Sequence, residues 1–272
     1  MKTVLITGAT DGLGRHVAVR LGRAGTRVVV HGRDAGKAER VRDEVAEAGG
    51  PDPEVVVADL ADLRAVDRLA DDVADRIPRL DVLVNNAGVG FGAPGGDREV
   101  GKDGIELRFA VNYLAGHLLT RKLVPLLTGS APARIVNVAS IGQAPLDFAD
   151  LQTERGYDGR LAYCRAKLAQ IMDTFDLADD LRDRGVTANA LHPATFMATT
   201  MVHEAGGTPM NTVETGGDAL IRLIDDPALD GVTGRFFNVR QDAKADAQAY
   251  DPDARRRLRE AADHLIEGAL RG

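Results

Sequence analysis

Val4-Leu5-Ile6-Thr7-Gly8-Ala9-Thr10-Asp11-Gly12-Leu13-Gly14 is the stretch that decides the fold. An apolar run ends in a cluster of glycines, and a longer stretch with helical spacing, 12–24, follows. Glycines at 8, 12 and 14 permit a tight turn and let a bulky anion approach the backbone. The N–H groups at the helix start then point at that anion, which suits a pyrophosphate. A strand before the turn and a helix after it mark a dinucleotide-binding unit rather than an ordinary loop. Gly8, Thr10, Asp11, Gly12, Leu13 and Gly14 are therefore the expected phosphate cradle. Their spacing is not that of G-x-G-x-x-G, so details of that version are not carried over.

Outward from this turn, short apolar runs recur at Arg27-Val28-Val29-Val30, Val55-Val56-Val57, Val82-Leu83-Val84, Ile135-Val136-Asn137-Val138, Ala188-Asn189-Ala190-Leu191 and Arg235-Phe236-Phe237. Continuous apolar character suits parallel strands covered on both faces. The stretches between them, 35–48, 63–76, 104–127, 161–184 and 213–224, are long enough for crossover helices. This alternation predicts an α/β fold: a single Rossmann-type domain over 1–272, with a doubly wound parallel sheet of about seven strands and helices on both faces. Neither an internal repeat nor a linker divides the chain. Segments 89–103, 142–159 and 194–211 lack regular pattern and follow predicted strands. Loops at strand C-terminal ends line the ligand crevice of such sheets, so these three form the expected substrate side. Pro145, Leu146, Phe148 and Leu151 are the expected apolar pocket residues of the second.

Composition narrows the function. The net charge of -7 argues against nucleic acid or an anionic membrane as a general partner. A single cysteine, Cys164, excludes an intrachain disulfide and a multi-cysteine metal site. His16, His31, His117, His203 and His264 show no ligand spacing, so no metal is expected. The first apolar run is too short for a secretory leader, and no run approaches the ~20 residues of a membrane span. A cytoplasmic location is the expectation.

The tips of the next strands carry nucleotide chemistry. Arg33 follows the second strand, where a guanidinium would grip a 2′-phosphate in bidentate fashion. That favours NADP(H), with NAD(H) possible. Asp11 is a point against NADP(H), because it brings negative charge near the region of a 2′-phosphate. Asp59, followed by Leu60, can accept from an adenine amino group or cap the next helix. Asn85-Asn86-Ala87-Gly88 ends the fourth strand, with small residues that allow close cofactor packing and amides that can tie adjacent strands.

Tyr163-Cys164-Arg165-Ala166-Lys167 sets a tyrosine and a lysine on one helix face. A nearby ammonium stabilises a phenolate, bringing the hydroxyl from its usual pKa near ~10 into the range of proton transfer. Such a pair alone is weak, since tyrosine often packs and lysine is often solvated. Here the strand Ile135–Ala139 delivers Ser140 between the glycine turn and the pair.

Together these residues resemble the short-chain dehydrogenases/reductases. The resemblance rests on the 7–14 turn, Asp59-Leu60, Asn85-Asn86-Ala87-Gly88, Asn112, Ser140, Tyr163 with Lys167, and His192-Pro193, in order along nearly the whole chain. Within the family the chain looks most like the retinol-dehydrogenase-like group and its bacterial relatives. His31-Gly32-Arg33-Asp34, Asp147-Phe148-Ala149-Asp150 and the long Ser140–Tyr163 interval fit that group. The resemblance implies a hydride-transferring oxidoreductase on a carbonyl/alcohol pair, with a small-to-medium lipophilic or secondary-metabolite substrate. It gives Tyr163 the transferable proton. Lys167 would lower the Tyr163 pKa and bind the nicotinamide ribose. Ser140 would bind the substrate oxygen, and Asn112 would hold a water-linked proton relay near Lys167. Asn86, Ala87, Gly88 and Pro193 would wall the cofactor, with Thr195 beside its carboxamide. His192 reads as a wall residue. Ala139 and Ala194 stand where the family commonly has serine and glycine. Many animal relatives carry a membrane-anchoring N-terminal segment that is not seen here, and a membrane location is not carried over. Relatives often form a homodimer or homotetramer through two long helices, here 104–127 and 161–184. The alternative is a non-catalytic NAD(P)-binding regulator, which has no need of Ser140, Tyr163 and Lys167 together.

Overall fold

The structure is a computed structural model that describes residues 1–93, 95–204 and 206–271. Pro94 and Ala205, which fall in two of the expected substrate loops, and Gly272 lie outside the described residues. The N-terminal half runs β1 (Thr3–Ile6), α1 (Gly12–Arg23), β2 (Arg27–Gly32), α2 (Ala35–Glu47), β3 (Glu54–Val57), α3 (Leu63–Arg76) and β4 (Val82–Asn85). Asp11, Asp34 and Asp62 cap α1, α2 and α3, each carboxylate accepting from a first-turn N–H. Such caps satisfy donors that a helix start cannot pair internally.

The second half runs α4 (Leu107–Phe109), a π-helical turn Ala110–Leu114, α5 (Ala115–Gly129), β5 (Ala133–Val138), α6 (Gly159–Asp180), β6 (Val186–His192), α7 (Thr200–Glu204), α8 (Val213–Asp225), β7 (Arg235–Asn238), β8 (Gln241–Ala243) and α9 (Pro252–Arg271). The sheet order is β3-β2-β1-β4-β5-β6-β7-β8. Seven strands are parallel and β8 returns antiparallel to β7. Strand order reverses between β1 and β4, which opens a ligand crevice at their C-terminal ends. Leu5 and Leu83 face one hydrophobic core, while Val4, Ile6, Val82 and Val84 face the other. That alternation is why β1 and β4 read as unbroken apolar runs.

Two expectations are corrected. The helix read over 104–127 starts at Leu107, passes through the π-helical turn and continues to Gly129. The C-terminal helix α9 was not expected. Its buried Ala254, Leu258, Ala262 and Ile266 form one apolar stripe packed into the core. It lies against α3 and α6, and Asp263 reaches His117 of α5 at 3.6 Å.

Candidate active site

The glycine turn is held by three polar clamps. Thr7 Oγ1 accepts from the N–H groups of Asn86 and Ala87, both at 3.0 Å. The Asn86 amide donates back to the carbonyls of Thr7 and Gly8. From the other side, His31 Nδ1 accepts from the Gly8 N–H at 3.1 Å while Nε2 bonds the Ala58 carbonyl at 3.2 Å. Burial pushes the His31 pKa down to about 4, so the ring stays neutral and keeps one donor and one acceptor. The sequence reading left His31 without a role; a histidine one residue before the glycine of a strand tip was the available signal.

Close approach explains the glycines. Gly8 has φ +63, and a Cβ there would lie 2.8 Å from Ala87 Cα. A Cβ on Gly14 would meet the Gly8 carbonyl oxygen at 2.3 Å. Asp11 caps Gly12 N alone and leaves the Leu13 and Gly14 N–H groups at the helix start. Asp11 thus has a local structural task. Thr10 packs its methyl against Gly32.

At the strand tips, Arg33 is exposed and makes no hydrogen bond or ion pair among the described residues, which leaves its guanidinium open to an anion. Asp59 Oδ1 accepts from Ala61 N in a local turn and does not cap α3, whose cap is Asp62, and Leu60 is buried beside it.

The chemistry gathers where β5 meets α6. Ser140 and Lys167 are buried, and Tyr163 sits one helical turn before Lys167. Burial pushes the Tyr163 hydroxyl up to about 12, with the Ser140 hydroxyl pulling the other way. The Tyr163 hydroxyl therefore stays neutral and keeps its proton. Lys167 Nζ donates to the Val138 carbonyl at 2.7 Å and to Gln170 Oε1 at 3.2 Å. It lies 5.8 Å from the Tyr163 ring centroid. Burial alone lowers the Lys167 pKa to about 7. Burial dominates the Tyr163 hydroxyl, while Lys167 Nζ is held on two other acceptors.

Asn112 lies in the π-helical turn, a feature often found at functional sites. Its side chain is committed on both atoms: Oδ1 accepts from Val89 N at 2.7 Å and Nδ2 donates to Val89 O at 3.0 Å. Gly88 joins these groups, since a Cβ on it would lie 3.2 Å from Asn112 Oδ1 and 3.7 Å from Lys167 Nζ. On the far wall, Pro193 and His192 are buried. His192 Nε2 pairs with Thr195 Oγ1 at 3.1 Å, and burial lowers the His192 pKa to about 4.

The three loops converge on this point. Arg108, only 3% exposed, donates to Gly90 O, Glu99 and the Tyr157 hydroxyl, tying the first loop to the second. Gly90 abuts Met201, and Gly12 abuts Thr199, both of the third loop. Phe91 sets its ring edge-on to Tyr163 with centroids 4.7 Å apart. The expectation that Phe148 lines the pocket is corrected. Its ring lies under the Arg257 guanidinium of α9 at 4.3 Å and packs on the core, as does Leu146. Phe91, which the sequence reading did not single out, takes the place beside Tyr163.

Comparison with known proteins fits this geometry. The family model for short chain dehydrogenase matches residues 2–209. The chain belongs to the short-chain dehydrogenase family. Within it the chain falls in the retinol-dehydrogenase-like group. It is 37% identical to retinol dehydrogenase 14 of Mus musculus, over 97% of this chain and 86% of that protein. It is 34% identical to a Streptomyces sp. (strain C5) protein provisionally named daunorubicin C-13 ketoreductase DnrU, over 99% of this chain and 94% of that one. Among solved structures, an uncharacterized Mycobacterium paratuberculosis protein superposes with a TM-score of 0.79 at 28% identity, covering 98% of this chain and 94% of its own. A 3-ketoacyl-(acyl-carrier-protein) reductase from Brucella melitensis, complexed with NADH, gives 0.70 at 27% identity, covering 88% and 96%. A short chain dehydrogenase from Escherichia coli CFT073, complexed with NADPH, gives 0.72 at 26%, covering 88% and 97%. Among the described residues no helix is long and apolar enough to cross a membrane.

Proposed function

We propose that this oxidoreductase interconverts a lipophilic ketone or aldehyde and its alcohol using NADP(H). The observation that carries the reading is the meeting of Tyr163, Ser140 and an acid-free, buried Lys167 beside the glycine turn. The turn suits a dinucleotide, because the close packing of Gly8 on Ala87 and of Gly14 on the Gly8 carbonyl holds a tight glycine turn before α1, whose start has donors to spare. When bound, the reduced nicotinamide supplies the hydride to the carbonyl carbon. Tyr163 gives its proton to the carbonyl oxygen, which is where a neutral, high-pKa phenol is useful. Ser140 donates a hydrogen bond to the same oxygen as charge develops. Lys167 offers its remaining N–H to the cofactor ribose, and its charge steadies the phenolate left behind. The main chain around Asn112 holds the relay that returns a proton, its side chain being engaged with Val89.

Arg33 supports the phosphate-bearing cofactor. The substrate class is supported by relatives named for retinol and daunorubicin, by apolar Phe91 beside Tyr163, and by exposed apolar Ile141 and Phe196, which follow Ser140 and Thr195 in the chain. A screen of aldehydes, ketones and quinones for NADPH oxidation, run in parallel with NADH, tests the activity. Arg33→Asp is expected to weaken NADPH far more than NADH; an unchanged affinity ratio would move the phosphate site elsewhere.

A further inference from the structure

Lys167 is 4% exposed and has two hydrogen-bond partners, both neutral: the Val138 carbonyl and Gln170 Oε1. Gln170 sits one turn further along α6 and is itself only 5% exposed. It also lines a small cavity with Thr7, Asn85, Asn112 and Gly116. There Asn85 Oδ1 is buried and unpartnered, its amide nitrogen being spent on Thr120 and Asn137. A carboxamide suits this place. Its oxygen accepts from the ammonium, and its nitrogen makes no hydrogen bond among the described residues. A carboxylate would hold the ammonium more strongly, but would cancel its field at Tyr163.

We propose that Gln170 is a positioning residue for Lys167, holding the ammonium at working depth through a neutral acceptor so that its charge stays available to Tyr163 and the cofactor ribose. The inference rests on the oxidoreductase reading above and adds to it a residue that touches neither substrate nor cofactor. It explains how a buried lysine is placed without a counter-ion.

The test compares wild type, Gln170→Met and Gln170→Glu. Nicotinamide binding is followed by fluorescence titration with NADPH and NADH. Turnover uses a carbonyl/alcohol pair from the screen, and the alcohol-oxidation rate is recorded against pH. Gln170→Met keeps the length and loses the acceptor. It is expected to lower kcat about 10- to 100-fold, the scale of a hydrogen bond to a charged group, and to weaken cofactor binding. Gln170→Glu is expected to move the rising limb of the oxidation profile up by about one pH unit, because a carboxylate disfavours the phenolate. A purely structural role would lower the melting temperature of both variants and leave the limb where it is. Folded variants with wild-type kcat, cofactor affinity and pH profile would overturn the proposal while leaving the oxidoreductase reading intact. Wild-type protein that binds neither nucleotide would refute that reading, and the role of Gln170 with it.

Discussion

The two sides of α6 handle buried positive charge in opposite ways. Toward the crevice, Lys167 has only neutral acceptors, and burial lowers its pKa to about 7. Toward α5 and α9, burial also pulls His117 down, but Asp173 at 2.8 Å and Asp263 outweigh it and raise its pKa to about 9. Arg121, Arg255 and Arg259 surround the same acidic row of Asp173, Asp176 and Asp180. One side keeps a buried charge that we propose serves the chemistry, and the other fastens three helices together. A buried cation without a counter-ion is costly, and its survival is a mark of function rather than of stability.

Substitution should pull the two sides apart. Lys167→Met is expected to cut turnover ~10²–10³-fold, the scale of one lost charge-stabilising donor. Its melting temperature should stay level or rise, because a desolvated charge is removed. Asp173→Asn should do the reverse, costing about 3 kcal/mol in denaturant unfolding by breaking a buried pair, with kcat within a few-fold. If Lys167→Met proved the strongly destabilised variant and Asp173→Asn the inactive one, the assignment of roles would be reversed.

Stability against pH sharpens the contrast. His117 has a folded pKa above its unfolded value near ~6.5, so its contribution is complete below that pH and is lost as pH rises through about 9. Lys167 has a folded pKa of about 7, below its unfolded value near ~10.4, so the folded state binds fewer protons in between and stability rises with pH. Between about 7 and 9 the two slopes oppose, each at most about 1.4 kcal/mol per pH unit. Cofactor-free wild type is expected to be nearly flat there. Lys167→Met should lose stability with rising pH, and Asp173→Asn should gain it. Parallel slopes in the two variants would contradict the account.

Smaller effects concern the loops. Phe91→Ala should change the ranking of a size-graded ketone series by ~1–3 kcal/mol in relative kcat/KM. Phe148→Ala should leave that ranking alone and cost only packing and its cation–π contact, ~1 kcal/mol. A ranking that responds to Phe148 instead would return the pocket to the 142–159 loop.

What was legible in the sequence follows from range. The strands, the first three helices and the glycine turn are local patterns, and Tyr163 and Lys167 lie on one helix turn, so spacing alone set their relation. Phe148 was misread because its neighbour is Arg257, far along the chain on α9, and apolar character cannot say which surface a ring meets. Gln170 and His31 carry no pattern of their own; their roles appear only once β3 and β5 are placed beside them. The helix α9 was readable: Asp251 before Pro252, with Leu258, Ala262 and Ile266 at four-residue spacing, is a capped amphipathic signal.

The most direct test of the central claim is NADPH oxidation by wild type and Tyr163→Phe across the same carbonyl panel, with NADPH affinity measured for both. The account predicts that wild type reduces at least one lipophilic carbonyl, and that the variant binds NADPH equally well but turns over ~10²–10⁴-fold more slowly. A folded Tyr163→Phe protein working within a few-fold of wild type would contradict it.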